Sequence, residues 1–263
     1  MSSTDLRRLF NSSREFVIPL VALVILMVIW EASVRFFAVP EYLLPAPSRI
    51  FEDTYAMGWV VGDHTMATLR TILFGFLLSI AVSLPLAVLI SSSKLFADAI
   101  YPLLVLTQSV PKVAIAPILV VMLGPNELPR VIVTFLVAFF PLVISITAGL
   151  MAVPSELVEL SRSCRASKLQ ELIRIRLPYS IPFLFSGLKV AIALSVVGAV
   201  VGEFVAAEKG LGYLITSATA FFKVPVAFGA MLILAILGIV LFQAIVVVER
   251  VFFPWAAAEE PRT

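Results

Sequence analysis

Long apolar runs separated by short polar segments make up most of this chain. A helix needs about 20 apolar residues to cross the hydrocarbon core of a bilayer. Six runs reach that length, and they cover residues 16–37, 66–90, 100–123, 131–153, 181–207 and 224–253. The pattern predicts an all-α, polytopic membrane protein, with six transmembrane helices in one domain over residues 16–253.

Composition agrees with this pattern. Of the 263 residues, 61% are hydrophobic and 14% are charged, and the mean hydropathy is +1.08. Soluble domains of this size contain far less apolar sequence. The formal charge of +2 does not indicate a nucleic-acid partner, because the basic residues lie at the ends of apolar runs, where a bilayer places them. We therefore expect a lipid bilayer, and no nucleic acid, around this chain.

The distribution of basic residues predicts the orientation. Six spans place both termini on one side of the membrane. With a cytoplasmic amino terminus, eleven Lys and Arg residues fall in cytoplasmic segments and six in outer segments, as the positive-inside rule favours. Residues 1–15 and the tail 254–263 are then cytoplasmic. The first run continues through Trp30 to Glu31 without a small-residue cleavage pattern, so an uncleaved span is favoured over a secretory signal.

A charged segment, residues 155–178, separates the fourth and fifth runs. Ser155 follows a proline and precedes an acid, which predicts a helix N-cap. Ser167 and Gln170 form a capping-box pattern, which predicts the start of a second helix. The break between the two helices is expected near Arg165.

The same segment is amphipathic. Leu157, Leu160 and Cys164 lie on one face at helical spacing. Pro178 is expected to end the second helix, because proline lacks an N–H donor and restricts the residue before it. The result is a helix-turn-helix at the membrane face that suits docking into a groove of a soluble partner. Cys164 is expected to be buried at that docking surface and not reactive.

At this segment the sequence resembles a known family. Glu159 is followed after fifteen residues by the stretch 175–178 (IRLP). This spacing resembles a signature of the permease subunits of bacterial ABC importers. The signature reads E-A-A, three residues, G, nine residues and then I-x-L-P. Leu160 and Ser161 stand at the two alanine positions, and Arg165 stands at the glycine position. A non-glycine residue in a left-handed turn costs about 1 kcal/mol, so either the turn differs here or the strain is tolerated.

Five further segments are similar to permeases of the nitrate, sulfonate and taurine importer branch, in the same order along the chain. They are residues 43–48 (LLPAPS), 110–117 (VPKVAIAP), 187–189 (GLK), 202–204 (GEF) and 210–215 (GLGYLI). The resemblance therefore extends along nearly the whole chain.

The resemblance implies a division of labour in a bacterial cytoplasmic (inner) membrane. Two copies of the permease, a homodimer, form the pathway, two cytoplasmic ABC ATPase subunits power it, and an extracytoplasmic solute-binding protein delivers the solute. In this chain no glycine directly precedes a lysine, so the G-x-x-x-x-G-K phosphate loop is absent. We expect a subunit that is not an enzyme and binds no cofactor, with ATP and magnesium held by the partner ATPase.

The charged segment is the expected contact with the ATPase. Charged side chains there are expected to line the docking surface and leucines to supply its apolar contacts. The eleven candidates are Leu157, Glu159, Leu160, Ser161, Arg162, Arg165, Ala166, Leu169, Ile175, Leu177 and Pro178. The alternative is an ordinary solvated loop that obeys the positive-inside rule.

Polar residues within the third run point to a translocation pathway. Gln108, Ser109 and Lys112 lie beside Pro111, which frees a backbone carbonyl. Freed polar backbone at membrane depth is tolerated mainly where it lines a cavity, and a cationic Lys112 suits an anionic solute. Alternatively, the third helix starts later and Lys112 snorkels to the cytoplasmic face.

The fifth run carries two ionisable residues. Lys189 and Glu203 are fourteen residues apart, about 21 Å along a helix, so they cannot pair within it and are expected near opposite membrane faces. Glu203 is a further pathway candidate, because ionisable residues inside a membrane are costly and suggest function. Gly198 and Gly202 permit close helix packing, either at the dimer interface or within one subunit.

The rest of the chain excludes other classes of site. With Cys164 as the only cysteine and His64 as the only histidine, no metal centre is expected. A membrane enzyme would need convergent acids, histidines or a metal set. Residues 210–223 predict a short outer helix or gate, which either receives the binding protein or is an interfacial helix anchored by Tyr213.

The solute remains open between two classes. The resemblance favours a small anion of the sulfonate, taurine or nitrate type. The alternative solute is a pyrimidine or riboflavin-type vitamin precursor. A less favoured alternative for the class of protein is an ion-coupled secondary transporter, because such transporters often contain inverted repeats and no clear internal repeat is present here.

Overall fold

A computed structural model describes residues 3–257, with side chains described from residue 17 to residue 256 except at 94 and 206. All regular structure in this part of the chain is helical. The helices are α1 (Ser3–Phe36), α2 (Pro47–Ala56), α3 (Trp59–Ser92), α4 (Lys94–Gln108), α5 (Lys112–Leu123), α6 (Glu127–Met151), α7 (Ser155–Ser163), α8 (Lys168–Glu171), α9 (Leu177–Ala206), α10 (Leu211–Ala220), α11 (Val224–Phe252) and α12 (Pro254–Ala257). Most of the expected tail, residues 258–263, and the first two residues lie outside the described residues.

Five helical segments are long and apolar enough to cross a membrane, namely Val17–Phe36, Trp59–Ser92, Glu127–Met151, Lys168–Val205 and Val224–Phe252. The all-α, polytopic prediction is therefore confirmed, and a sixth crossing exists if one bent pair of helices counts as a span.

The third predicted span is not one straight helix. α4 and α5 meet at an angle of 90° across a break of three residues. Pro111 has an extended backbone, with φ −69° and ψ 92°. Its ring also removes an N–H donor and disfavours the helical conformation of the residue before it. The apolar run 100–123 therefore contains a bend, and it is the sixth crossing if the bent pair counts as one span.

The chain divides into two compact units, one of residues up to 61 with 215–231 and the other of residues 62–214 with those from 232 onward. In the first unit, Glu31 of α1 holds the start of α2. Its Oε2 accepts a hydrogen bond from the Ser48 backbone N–H at 3.0 Å, and its Oε1 pairs with Arg35 at 2.6 Å. An acid is favourable at a helix amino terminus, where backbone N–H groups lack partners.

The second unit is built around α6, against which α3 and α9 pack through small residues. A Cβ at Gly75 of α3 would collide with the Thr134 side chain, and a Cβ at Gly198 of α9 would lie 2.8 Å from the Thr134 Cα. A Cβ at Gly202 would lie 3.0 Å from the Arg130 Cα. Gly198 and Gly202 therefore pack α9 onto α6 of the same chain, the second of their two expected roles.

The second arm of the charged segment continues into the fifth span. α8, a π-helical turn over Leu172–Arg176 and α9 form one helical stretch, Lys168–Val205. Pro178 is the second residue of α9, which directly follows the π-helical turn, an irregularity that commonly accompanies a missing helical hydrogen bond. The expectation that Pro178 ends a helix was therefore wrong, because the helix continues through it.

Candidate functional site

The turn after α7 has a left-handed conformation at Arg165, which stands at the glycine position of the signature that the sequence resembles. Arg165 has φ 58°. Its N–H donates to the Arg162 carbonyl at 2.9 Å, and the Ala166 N–H donates to the Ser161 carbonyl at 3.0 Å. These two bonds form a Schellman motif, which normally places glycine at this position. Of the two expected outcomes, the strained turn is the one observed.

The capping of the two short helices is partly as predicted. The Ser167 Oγ accepts from the Gln170 N–H at 3.2 Å, and the Gln170 Oε1 accepts from the Ser167 N–H at 2.8 Å. The predicted capping box is therefore confirmed. At α7 the N-cap is Pro154, and Ser155 is the first helical residue, so the predicted Ser155 cap was wrong by one position.

The segment is held together by Glu171, a residue that no sequence pattern had singled out. It is 8% exposed and pairs with Arg176 through Nη2 at 2.7 Å and Nε at 2.8 Å. Arg162 of α7 approaches its other oxygen at 3.6 Å. Arg176 also donates to the Leu150 carbonyl at 3.3 Å, near the end of α6. One carboxylate thus links α7, α8 and the π-helical turn, while Arg176 adds α6.

A groove of about 500 Å³ lies beside these helices. Five of the expected contact residues line it together with three others; the lining residues are Leu157, Leu160, Ser161, Cys164, Arg174, Ile175, Pro178 and Tyr179. Leu160 is 61% exposed, and Cys164 is also exposed. Within this chain the groove is therefore an uncovered apolar surface with a basic residue at its edge.

The remaining candidates of this segment lie outside the groove. Glu159, Arg162, Arg165 and Leu169 are exposed, whereas Ala166 and Leu177 are half-buried.

The break in the third span is stabilised by Lys112. Its Nζ donates to the Gln108 carbonyl at 3.4 Å and lies 4.8 Å from the centre of the Phe140 ring. In an unbroken helix the Lys112 backbone N–H would bind that carbonyl, so the side chain replaces a bond lost at the bend. Gln108 and Ser109 are exposed and Lys112 is half-buried.

At the opposite end of α9 from the charged segment, Glu203 is buried, with 1% exposure. Its Oε2 accepts from the Thr68 Oγ1 of α3 at 3.1 Å and from the Gly212 N–H of α10 at 2.7 Å. The Thr68 Oγ1 accepts from the Leu211 N–H at 2.7 Å. Glu203 therefore faces the interior of the unit in this conformation and joins α3, α9 and the first turn of α10.

The short segment before α10 is held by further contacts. The His64 Nδ1 accepts from the Gly210 N–H at 3.1 Å, so His64 has a structural contact. The Arg130 Nη1 donates to the Lys209 carbonyl at 3.1 Å. Gly210 has φ 126°, and a Cβ there would collide with the Glu203 carboxylate. Only glycine fits this position.

Among the described residues, no cluster of His, Cys, Asp and Glu side chains could hold a metal ion.

Residues 75–256 match the family of binding-protein-dependent transport system inner membrane components. This match covers most of the chain, so the protein belongs to that family, the permease subunits of ABC importers.

Similar proteins serve several solutes. The chain is 37% identical to the formylaminopyrimidine transport permease ThiX of Halalkalibacterium halodurans, over 90% of this chain and 95% of the relative. It is 33% identical to the riboflavin transport system permease RibX of Chloroflexus aurantiacus, over 90% of each chain. It is 28% identical to the nitrate import permease NrtB of a Synechocystis species, over 93% of this chain and 92% of the relative. The expected branch is thus represented among the relatives.

A solved structure shares the fold. A chain of the MetNI methionine ABC transporter, in an inward-facing conformation, superposes with a TM-score of 0.64 at 20% identity. The alignment covers 74% of this chain and 97% of that chain. At this identity the likeness concerns the fold alone.

Proposed function

We propose that this ABC importer permease forms half of a solute pathway whose opening is driven by ATPase subunits docked on residues 155–178. The observation that supports this proposal is the continuous helical stretch Lys168–Val205. A force applied to α8 reaches the membrane interior without crossing a flexible loop, and rigid elements of this kind transmit conformational change.

The proposed docking surface is the groove along α7 with the exposed charges around it. Leu157 and Leu160 supply uncovered apolar area, and Glu159 and Arg165 supply exposed charge. Apolar anchors surrounded by a polar rim are typical of protein interfaces. The Glu171 ion pairs support the proposal because they make the surface rigid before a partner binds, which lowers the entropic cost of binding.

The proposed assembly has two permease copies, two ATPase subunits and a solute-binding protein, with both chain termini in the cytoplasm. The orientation is supported by the distribution of basic residues. In this assembly the ATPase partner binds magnesium and hydrolyses ATP, because the sequence of this chain contains no G-x-x-x-x-G-K phosphate loop.

For the solute we propose a small anion, with Gln108, Ser109 and Lys112 at the bend of the third span as its contacts. This choice is supported by Lys112, because its positive charge suits an anion. Lys112 lies at the bend between α4 and α5, the only bent pair of span-forming helices in the described chain. A vitamin precursor is the second candidate, and the likeness to ThiX and RibX supports it. Glu203 is a further candidate for the pathway, and it is buried in this conformation.

The docking proposal is tested with Glu159→Lys in the complex purified with its ATPase. The substitution inverts an exposed charge on α7, and we expect loss of ATP hydrolysis that depends on the solute-loaded binding protein. Glu156→Lys is the matched control, because it makes the same change in the same helix outside the signature. Retained coupling in Glu159→Lys at normal expression would contradict the docking proposal.

The solute proposal is tested in proteoliposomes with taurine, nitrate and formylaminopyrimidine as candidate solutes. If an anion is transported, Lys112→Met should lower its uptake by roughly tenfold or more, the effect of losing one charged contact. Uptake of formylaminopyrimidine alone, unaffected by Lys112→Met, would favour the second candidate.

A further inference from the structure

A polar cavity of about 350 Å³ lies in the second unit, at the amino end of α6. Residues 155–178 follow the other end of that helix, so the cavity and the charged segment lie at opposite ends of α6. Six of the nine residues that line the cavity are charged, three of them acidic and three basic: Asp63, Arg70, Glu127, Arg130, Glu208 and Lys209.

Three segments of the chain bring these charges together. Asp63 and Arg70 lie seven positions apart in α3, on one face of that helix but too far apart for a helical ion pair, which needs a spacing of three or four. Glu127 and Arg130 lie in the first turn of α6. The remaining two charges come from the segment between α9 and α10.

The charges around the cavity do not neutralise one another in ion pairs. All ion pairs of the described chain are formed by other residues. Arg130 is 8% exposed, and its Nη1 donates to the Lys209 carbonyl at 3.1 Å. Buried charges are normally paired, so Arg130 is a fixed cation at the cavity without an ion pair among the described residues.

We propose that this cavity binds a small zwitterion, a molecule with one ammonium group and one sulfonate or carboxylate group. The basic side chains bind the anionic group and the acidic side chains bind the ammonium group, both through charge-assisted hydrogen bonds. The inference rests on the proposed function, and it narrows the small anion proposed there to one that also carries a positive charge, such as taurine.

The lining of the cavity disfavours the other candidate solutes. Nitrate has no positive group, so the three acids would repel it as strongly as the three bases attract it. A pyrimidine or flavin ring is typically bound against aromatic side chains, and none of the nine lining residues is aromatic. A zwitterion uses charges of both signs.

The experiment compares three probes of similar size by isothermal titration calorimetry. They are taurine, ethanesulfonate, which lacks the ammonium group, and ethylammonium, which lacks the sulfonate. The permease is purified with its ATPase and placed in nanodiscs of phosphatidylglycerol, without ATP or binding protein. Taurine should bind at least roughly tenfold more tightly than either of the other probes, since each of them lacks one charged contact.

Two substitutions assign the two ends of the ligand. Arg70→Gln should weaken taurine and ethanesulfonate roughly tenfold and leave ethylammonium unchanged. Asp63→Asn should weaken taurine and ethylammonium by a similar factor and leave ethanesulfonate unchanged. Both positions are exposed, so the fold should tolerate these changes. Arg250→Gln and Asp98→Asn make the same changes at exposed positions outside the cavity and should alter no affinity.

An ethanolamine phospholipid carries the same two charges in its headgroup. A second set of nanodiscs therefore contains phosphatidylethanolamine as half of the lipid. Unchanged taurine affinity in these nanodiscs identifies a free solute as the ligand. Loss of taurine affinity, restored in phosphatidylglycerol alone, identifies the lipid headgroup as the ligand of the same site.

Two results overturn the proposal: absence of taurine binding in phosphatidylglycerol nanodiscs, or taurine binding that Arg70→Gln and Asp63→Asn leave unchanged. Failure of the proposed function gives a different result, because it would abolish ATP-driven uptake in proteoliposomes while the charge-dependent binding of taurine persisted. Conversely, ATP-driven uptake without this binding would leave the transport function intact and remove the zwitterion site.

Discussion

Lys189 of α9 binds Glu249 of α11 through a distance of 2.9 Å between Nζ and Oε2, and the two side chains are only 12% and 4% exposed. The pair joins two membrane helices within the second unit. It also explains why Lys189 is tolerated in an apolar run, since an intramembrane charge needs a partner.

Loss of one member of this pair should destabilise the protein strongly. We expect Lys189→Met to cost about 3 kcal/mol, because the Glu249 carboxylate is left buried without its partner. Thermal unfolding of the purified protein in detergent measures the effect. The double variant Lys189→Met with Glu249→Leu should recover most of the loss, and Lys223→Met, at an exposed lysine, is the control. A double variant as unstable as the single one would show that the ion pair is not the cause.

The left-handed turn at Arg165 predicts a stabilising substitution. Arg165→Gly should raise stability by about 1 kcal/mol, because glycine adopts φ near +58° without strain. Arg165→Ala removes the same guanidinium but keeps the strained Cβ, so it should show no gain. Thermal unfolding compares the two variants, and equal stability would mean that the turn conformation has no measurable cost.

The two arginines around Glu171 should differ in importance. Arg176 is 2.7 Å from the carboxylate with a side chain 21% exposed, whereas Arg162 is 3.6 Å away and 68% exposed. Arg176→Gln should reduce both stability and coupled ATP hydrolysis severely. Arg162→Gln should cost less than about 1 kcal/mol, since solvent screens an exposed pair. Equal effects on unfolding temperature would contradict this assignment.

Close packing of α9 on α6 predicts sensitivity to a single methyl group. Gly198→Ala places a Cβ against backbone at 2.8 Å, so we expect a loss of about 1–3 kcal/mol from overpacking. Gly238→Ala, whose Cβ would have its nearest neighbour at 3.8 Å, is the matched control. Unfolding temperatures in detergent measure both, and an unaffected Gly198→Ala would mean that the helices separate at little cost.

The parts of the site that were predictable from sequence depend on neighbours along the chain. The capping box joins Ser167 and Gln170, three positions apart, and the apolar runs that form membrane spans are local by nature. The family signature was recognisable despite Arg165, because its remaining positions keep their spacing.

Tertiary structure decided the contacts between distant positions. Thr68 forms hydrogen bonds with Glu203, which is 135 positions away along the chain, and with Leu211, which is 143 positions away. Neither spacing has a sequence pattern, because side chains on packed helices meet according to how the helices pack. The bend at Pro111 and the continuation of the helix through Pro178 were also decided this way, since proline permits either a break or a first turn.

The sequence by itself determined the class of protein, the approximate positions of its spans and the location of the charged helix-turn-helix. Those features follow from transfer of apolar residues into lipid and from local capping. The partners of the buried charges were decided only in the folded structure. A buried charge needs a partner of opposite sign or a hydrogen-bonding group, but only helix packing selects which residue provides it.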